Sequence, residues 1–230
     1  MTAEPLVPIS LHGTLVSLEP LTRSHLSDLA AIGLHPELWR LQPRAILSIA
    51  DMRDYIEQAL VDQARGVSLP FVIARRADRA VMGSTRFMEI APEHRRVEIG
   101  ATWLTPAAQR TGANVDAKLL LLTHAFETLG MQRVVLKTET LNTQSRTAIL
   151  ALGAVEEGTF RRHLIADDGR MRDMVYFSIL DTEWPAVRAR LRARLAQHGL
   201  VADGGAGDAR HGVQDADGDG QRCASAPNAE

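Results

Sequence analysis

Between Trp103 and Asn114 the chain reads Trp-Leu-Thr-Pro-Ala-Ala-Gln-Arg-Thr-Gly-Ala-Asn. Small and turn-forming residues there part a strand-like run from a helix-like run carrying Val115, Leu119, Leu122, Phe126 and Leu129. The first turn of a helix has unpaired backbone N–H groups and the positive end of the macrodipole. A tight turn in front of it lets a pyrophosphate approach those donors. The expectation is an anion cradle at a strand-to-helix junction, in a protein that grips a phosphorylated cofactor. Just upstream, Glu98 interrupts the otherwise apolar run 97–103. Desolvation there would raise its pKa toward the range of a general base. The alternative is a carboxylate on the outer strand face, paired with Arg95 or Arg96. Elsewhere no His, Cys or carboxylate set has zinc-ligand spacing, and no G-x-S-x-G elbow is present, so neither a metal site nor a serine hydrolase is expected.

The elements that must position these groups follow from periodicity and punctuation. Strands are expected over 14–20, 69–75, 80–90, 96–104, 133–138, 156–165 and 172–180. Helices are expected after Thr22 or Ser24, after Ser48 with Asp51 closing a capping-box-like pair, over 115–129, over 143–152 between Asn142 and Gly153, and from about residue 181 with Pro185 in its first turn. The segment 35–46, with two prolines and Trp39, reads as a loop. Trp39, Phe87 and Trp103 read mainly as packing residues, and His124 as a helix residue that packs or faces solvent rather than one that catalyses. Arg188, Arg190, Arg192 and Arg194 read as solvated charge. The order predicts an α+β fold of α/β/α layers, with about seven strands in a mixed, mostly antiparallel sheet covered by helices on both faces.

At 230 residues and 45% hydrophobic content the chain suits one core domain with appendages. We expect an extended lead-in over 1–10, a domain over 11–200, and a disordered Gly/Asp/Ala-rich tail over 201–230. A net charge of −2 gives no electrostatic case for nucleic acid. One cysteine, Cys223, permits no internal disulfide; with no signal-peptide pattern and no membrane-length apolar run, a cytoplasmic location is expected. In the tail, Asp215, Asp217, Asp219 and Gly220 resemble a D-x-D-x-D-G calcium loop. Ala226 stands where the closing Glu would be, so calcium binding is not expected.

The loop Gln109-Arg110-Thr111-Gly112-Ala113-Asn114 resembles the Q/R-x-x-G-x-G/A pyrophosphate loop of the GCN5-related N-acetyltransferases (GNAT). The runs Asn142-Thr143-Gln144-Ser145, Leu152-Gly153-Ala154 and Val97-Glu98-Ile99-Gly100 resemble signatures of the branch that acetylates ribosomal proteins, the RimJ/RimL type. The order of elements agrees over 11–195. Asn114 departs from the usual Gly or Ala and is expected to cap the helix while leaving the cradle intact.

The resemblance implies acetyl-CoA as acyl donor and a primary amine as acceptor: a protein N-terminus, a lysine or a small amine. It implies that Thr102, Trp103 and Leu104 pair with the pantetheine arm, that a backbone N–H near Trp103 or Leu104 polarises the thioester, and that Gln109 to Asn114 hold the pyrophosphate. Glu98 would deprotonate the amine. Ser145 would protonate the leaving thiolate, or else serve only the first helical turn. Asn142 would cap the helix and bond the pantetheine, and Arg146 is a candidate phosphate contact or a solvated helix arginine. Two other readings stay open. One is a longer acyl donor such as succinyl-CoA, met by Arg86, Arg95 or Arg96; the other is a non-catalytic module that binds CoA. A homodimer through the strand over 176–180 is a further expectation.

Overall fold

The computed structural model describes residues 7–204. The calcium-like run in the tail and Cys223 lie outside the described residues. The chain begins its sheet with β1 (Leu11–His12) and β2 (Val16–Pro20), then forms α1 (Leu26–Gly33), α2 (Pro36–Trp39) and α3 (Ile49–Ala64). Three antiparallel strands follow: β3 (Ser68–Arg75), β4 (Val81–Ala91) and β5 (Arg96–Leu104). The crossover is α4 (Ala113–Thr123), leading to β6 (Arg133–Glu139); then come α5 (Thr143–Leu152), the hairpin β7 (Val155–Ile165) and β8 (Met171–Leu180), and α6 (Trp184–Gly204). The strands make one eight-stranded sheet of order β1-β2-β3-β4-β5-β6-β8-β7, parallel only at β5–β6.

Two apolar layers cover the sheet. Val97, Ile99 and Leu104 pack with Val115, Leu121 and Leu122 of α4 and Leu191 of α6 on one face. Trp103 and Val72 pack with Leu29, Trp39, Met52 and Ile56 on the other. Trp39, Phe87, Trp103 and His124 are all buried. Two buried apolar layers with helices on both faces match the α+β expectation.

Several expectations need correction. The sheet has an eighth strand, β1, too short to show periodicity. The segment read as a loop contains α2, with Pro36 in its first turn and the Trp39 indole donating to Gly33 O at 2.7 Å. The long crossover helix ends at Thr123 and continues as a π-turn over His124–Thr128. α6 continues to Gly204, into the stretch assigned to the tail. Arg188 and Arg194 are not merely solvated: Arg188 donates to Glu127 and Arg194 to Ala151 O. The late strand offered for dimerisation, β8, is paired on both sides, by β6 and β7. The exposed edge there is β7, which pairs β8 as far as Ser178, so of the stretch 176–180 only Ile179 and Leu180 are left without a β7 partner.

Candidate active site

The parallel contact between β5 and β6 is brief. Arg96, Val97 and Glu98 pair with Arg133, Val134 and Val135, and no β5–β6 pairing continues beyond them. On its other side β5 shifts register against β4 between Ser84 and Arg86, where Ala101 takes a left-handed backbone (φ 47°). The bulge bends β5 away from β6 and opens a wedge. Because alternate N–H and C=O groups of a strand point to each side, β5 presents along Thr102, Trp103 and Leu104 a hydrogen-bonding edge that β6 does not pair.

The wide end of the wedge is closed by the loop before α4. Gln109 donates to Leu104 O at 3.1 Å and accepts from Gln144 of α5 at 3.2 Å, so one side chain spans both walls. Thr111 donates to Ala108 O at 2.7 Å, which tightens the turn. Arg110 and Gly112 both sit at positive φ, 63° and 88°. Gly112, and not Asn114, is the N-cap; Asn114 is the second residue of the helix. The capping expectation fails because the turn needs a left-handed residue one step earlier, where glycine is the unstrained choice. Among the described residues the amides of Asn114 and Val115 have no hydrogen-bond partner, whereas the Asp116 amide donates to Gly112 O. The buried Asp116 carboxylate accepts from the amides of Leu15 and Val16 at 2.6 and 2.9 Å, which ties α4 to β2.

α5 begins on the opposite wall. Asn142 Oδ1 accepts from the Ser145 amide at 2.9 Å, the capping bond expected. The Ser145 side chain is half-buried and its hydroxyl has no hydrogen-bond partner among the described residues. Arg146 turns away from the wedge and donates to Glu156 of β7 at 3.3 Å.

Glu98 is 2% exposed and lies on the α1–α3 face of the sheet. Its predicted alternatives do not occur: Arg95 donates to Gly130 O, and the nearest carboxylate to Arg96 is Glu89, at 3.9 Å. Lys137 of β6 reaches Glu98 Oε2 at 2.8 Å and Glu89 Oε1 at 2.8 Å. Burial raises the Glu98 pKa above the usual carboxylate range, and the Lys137 charge opposes that rise without cancelling it. Lys137 is held well above the ordinary lysine value by the two carboxylates, against its own burial. His163 lies nearby on β7, 2.9 Å from the Tyr176 hydroxyl and exposed.

The sequence reading also missed a buried amine. Lys118, in the second turn of α4, donates to Thr102 Oγ1 at 2.7 Å, and Thr102 lies 2.8 Å from Thr85 Oγ1. Burial alone lowers the Lys118 pKa from 10.5 to about 7. In the unfolded chain this lysine regains its ordinary value, so between about pH 7 and 10.5 the unfolded state binds more protons. The cost of burying Lys118 is therefore fully present below pH 7 and relieved as pH rises through that window. Urea denaturation from about pH 7 to pH 9 should show the wild type gaining on Lys118→Met by on the order of 1 kcal/mol per pH unit. Parallel pH profiles for the two proteins would show that Lys118 stays charged when folded.

No helix among the described residues is long and apolar enough to cross a membrane. Residues 16–155 match the family described as the acetyltransferase (GNAT) domain. A Bacillus subtilis (strain 168) protein assigned as a ribosomal N-acetyltransferase, YdaF, is 32% identical over 107 residues, 46% of this chain and 57% of that protein. This chain therefore matches little more than half the length of that curated relative. A crystal structure from T. thermophilus, assigned as an acetyltransferase, superposes with a TM-score of 0.76 at 36% identity, covering 83% of this chain and 98% of that one. The Mycobacterium smegmatis RimJ structure, in complex with CoA-disulfide, shares the fold with a TM-score of 0.69 at 24% identity, covering 84% and 96%. Because the family match spans most of the sheet, including the bulged β5, the parting β6 and the loop that caps α4, the chain belongs to the GNAT acetyltransferase family.

Proposed function

We propose that this chain transfers an acetyl group from acetyl-CoA to a primary amine by direct attack within a ternary complex. The observation that carries the proposal is the pair of free amides at the start of α4, set at the wide end of a wedge whose narrow end holds a buried carboxylate. The pyrophosphate lies on the Gly112–Val115 turn, where N–H donors and the helix dipole favour an anion. The pantetheine extends the sheet along Thr102–Leu104 and also meets Asn142. The thioester thus comes to the bulge, where a backbone N–H of β5 polarises its carbonyl.

The acceptor approaches from the α1–α3 face, where Glu98 takes a proton from the ammonium. The freed nitrogen lone pair attacks the thioester carbon. As the tetrahedral intermediate collapses, the C–S bond breaks, the thiolate takes a proton from Ser145, and the second proton shed by the nitrogen, which leaves as the neutral amide, restores the Ser145 hydroxyl. YdaF is named for a ribosomal substrate, which favours a protein N-terminus as acceptor. The direct test incubates the protein with acetyl-CoA and a panel of amines while free thiol is followed. Amine-dependent thiol release supports the proposal. CoA binding with no amine-dependent release would leave only a CoA-binding module.

Ser145 has its own test. Ser145→Ala should lower kcat by about tenfold to a hundredfold, the low end of general acid catalysis, with little change in CoA affinity. The cap donor is the backbone amide at 145, so the substitution leaves it in place. A kcat equal to wild type would assign the leaving-group proton to solvent.

A further inference from the structure

We propose that Arg86, Tyr55 and Trp103 form a pocket beside Glu98 that receives a carboxylate of the substrate. The inference rests on the acyltransferase reading above and adds a charge to one of its two substrates. Arg86 is 6% exposed, yet none of the ion pairs among the described residues includes it. Its guanidinium lies 4.8 Å from the centre of the Tyr55 ring, and its Nε–H is buried without a hydrogen-bond partner. The Trp103 Nε1–H is buried and unpartnered as well. A buried cation is normally paired, and a buried N–H normally bonded, because each loses its water on folding.

Tyr55 joins the two donors. Its hydroxyl lies 3.4 Å from Ser84 Oγ, and the Ser84 hydroxyl already donates to Phe71 O. Burial pushes the phenol pKa up, but the Arg86 charge and the neighbouring Ser84, Arg86 and Trp103 groups bring it below its ordinary value. That direction marks a spot that favours negative charge. Among the described residues no carboxylate supplies it.

The pocket adjoins the reacting centre. Arg86 faces Gly100 across the β4–β5 ladder, and Met88 faces Glu98. A Cβ at Gly100 would stand 2.8 Å from both Glu98 Oε1 and Met88 Sδ, so only a glycine there lets those two side chains lie over the strand next to Arg86. Along the ladder the Glu98 position and the position that Arg86 faces are two residues, or roughly 7 Å, apart. A substrate with an amine or thioester at the first and a carboxylate at the second satisfies both. The carboxylate can come from the ω-end of a dicarboxylic acyl-CoA or from the acceptor. Of the three arginines considered for this role, Arg95 is engaged at Gly130 and Arg96 lies nearest Glu89, which leaves Arg86.

The test uses the full chain and two matched arms. The donor arm measures binding and amine-dependent thiol release for succinyl-CoA against butyryl-CoA, which has the same acyl length without the charge. The acceptor arm compares amino acids and dipeptides as free acids and as amides, with acetyl-CoA as donor and thiol release as readout. CoA itself is titrated as the reference. In wild type, one arm should favour the carboxylate by about tenfold or more, and that arm identifies the source. In Arg86→Met the same ratio should fall to near one, while the melting temperature holds or rises because an unpaired buried charge is removed. Tyr55→Phe is the second variant and should lower the ratio by roughly threefold. CoA binding with neutral and charged partners treated alike in both arms overturns the carboxylate pocket and leaves the acyltransferase reading standing. Failure to bind CoA overturns both.

Discussion

Glu98→Gln is expected to lower kcat by about a hundredfold or more, in the range measured for loss of a general base. The reasoning starts from burial. A carboxylate 2% exposed has lost most of its hydration, so its proton affinity rises. The active form is the carboxylate, so kcat/KM should climb with pH through the raised Glu98 value and level off above it. Glu98→Gln should be slow and lack that limb. Lys137 tunes the position of the limb, since its charge lowers the Glu98 pKa. Lys137→Met should therefore move the limb to higher pH, by a shift readable in the kcat/KM profile, while retaining activity at the alkaline end. In Glu98→Gln, Lys137 keeps Glu89 at 2.8 Å, so an intact melting curve is the expected control. A Glu98→Gln enzyme that keeps wild-type turnover and the same acidic limb would move the base elsewhere. His163 would be the first alternative, because it already hydrogen-bonds Tyr176 beside Lys137.

The contacts of Glu98 mark where sequence reading stops. Local signals were legible. α5 runs over Thr143–Leu152 between the Asn142 cap and a left-handed Gly153 at φ 106°, as expected. Ser48 and Asp51 form the reciprocal capping box before α3. These features depend on residues three or four positions apart, whose interaction is written in the chain. The strands around the wedge were legible for the same reason, since alternation in 133–138 or 172–180 is a local property.

What escaped was non-local. Lys137 meets Glu98 only because β5 and β6 are parallel and then part. Arg86, Tyr55 and Trp103 come from β4, α3 and β5, and nothing in their spacing marks them. Lys118 looks like an ordinary helix lysine until α4 is laid against Thr102. β8 carried the pattern of a half-buried strand, which does not say whether one neighbour or two will pair with it. The Asn114 error was of another kind. Asn is a good cap by type, but the turn that delivers the chain to α4 fixes which residue must be left-handed, and that residue is Gly112.

Gly112→Val is therefore expected to abolish CoA binding at concentrations where wild type saturates, a loss of about tenfold or more, and to lower the melting temperature. At φ 88° a β-branched residue is strained by roughly 1–2 kcal/mol before any contact is counted. A Cβ there would also stand 2.9 Å from Leu15 Cδ1 and 2.9 Å from His198 Cγ. Leu15 Cδ1 is the free end of a side chain and can swing aside, but His198 Cγ and Cβ, at 2.9 and 3.0 Å, stand close to the α6 backbone and give less. Relief must come from the loop itself, and moving it turns the amides of Asn114 and Val115 away from the wedge. Asn114→Gly makes the contrasting case. Asn114 is half-buried at the second helical position and offers its backbone N–H, which glycine retains. CoA affinity should change by less than about threefold, although a glycine in the helix costs up to ~1 kcal/mol of stability. Calorimetric titration with CoA on both variants, with circular dichroism to establish folding, separates the two effects. A folded Gly112→Val protein that binds CoA like wild type would place the pyrophosphate away from this turn, and the wedge would have to be read without it.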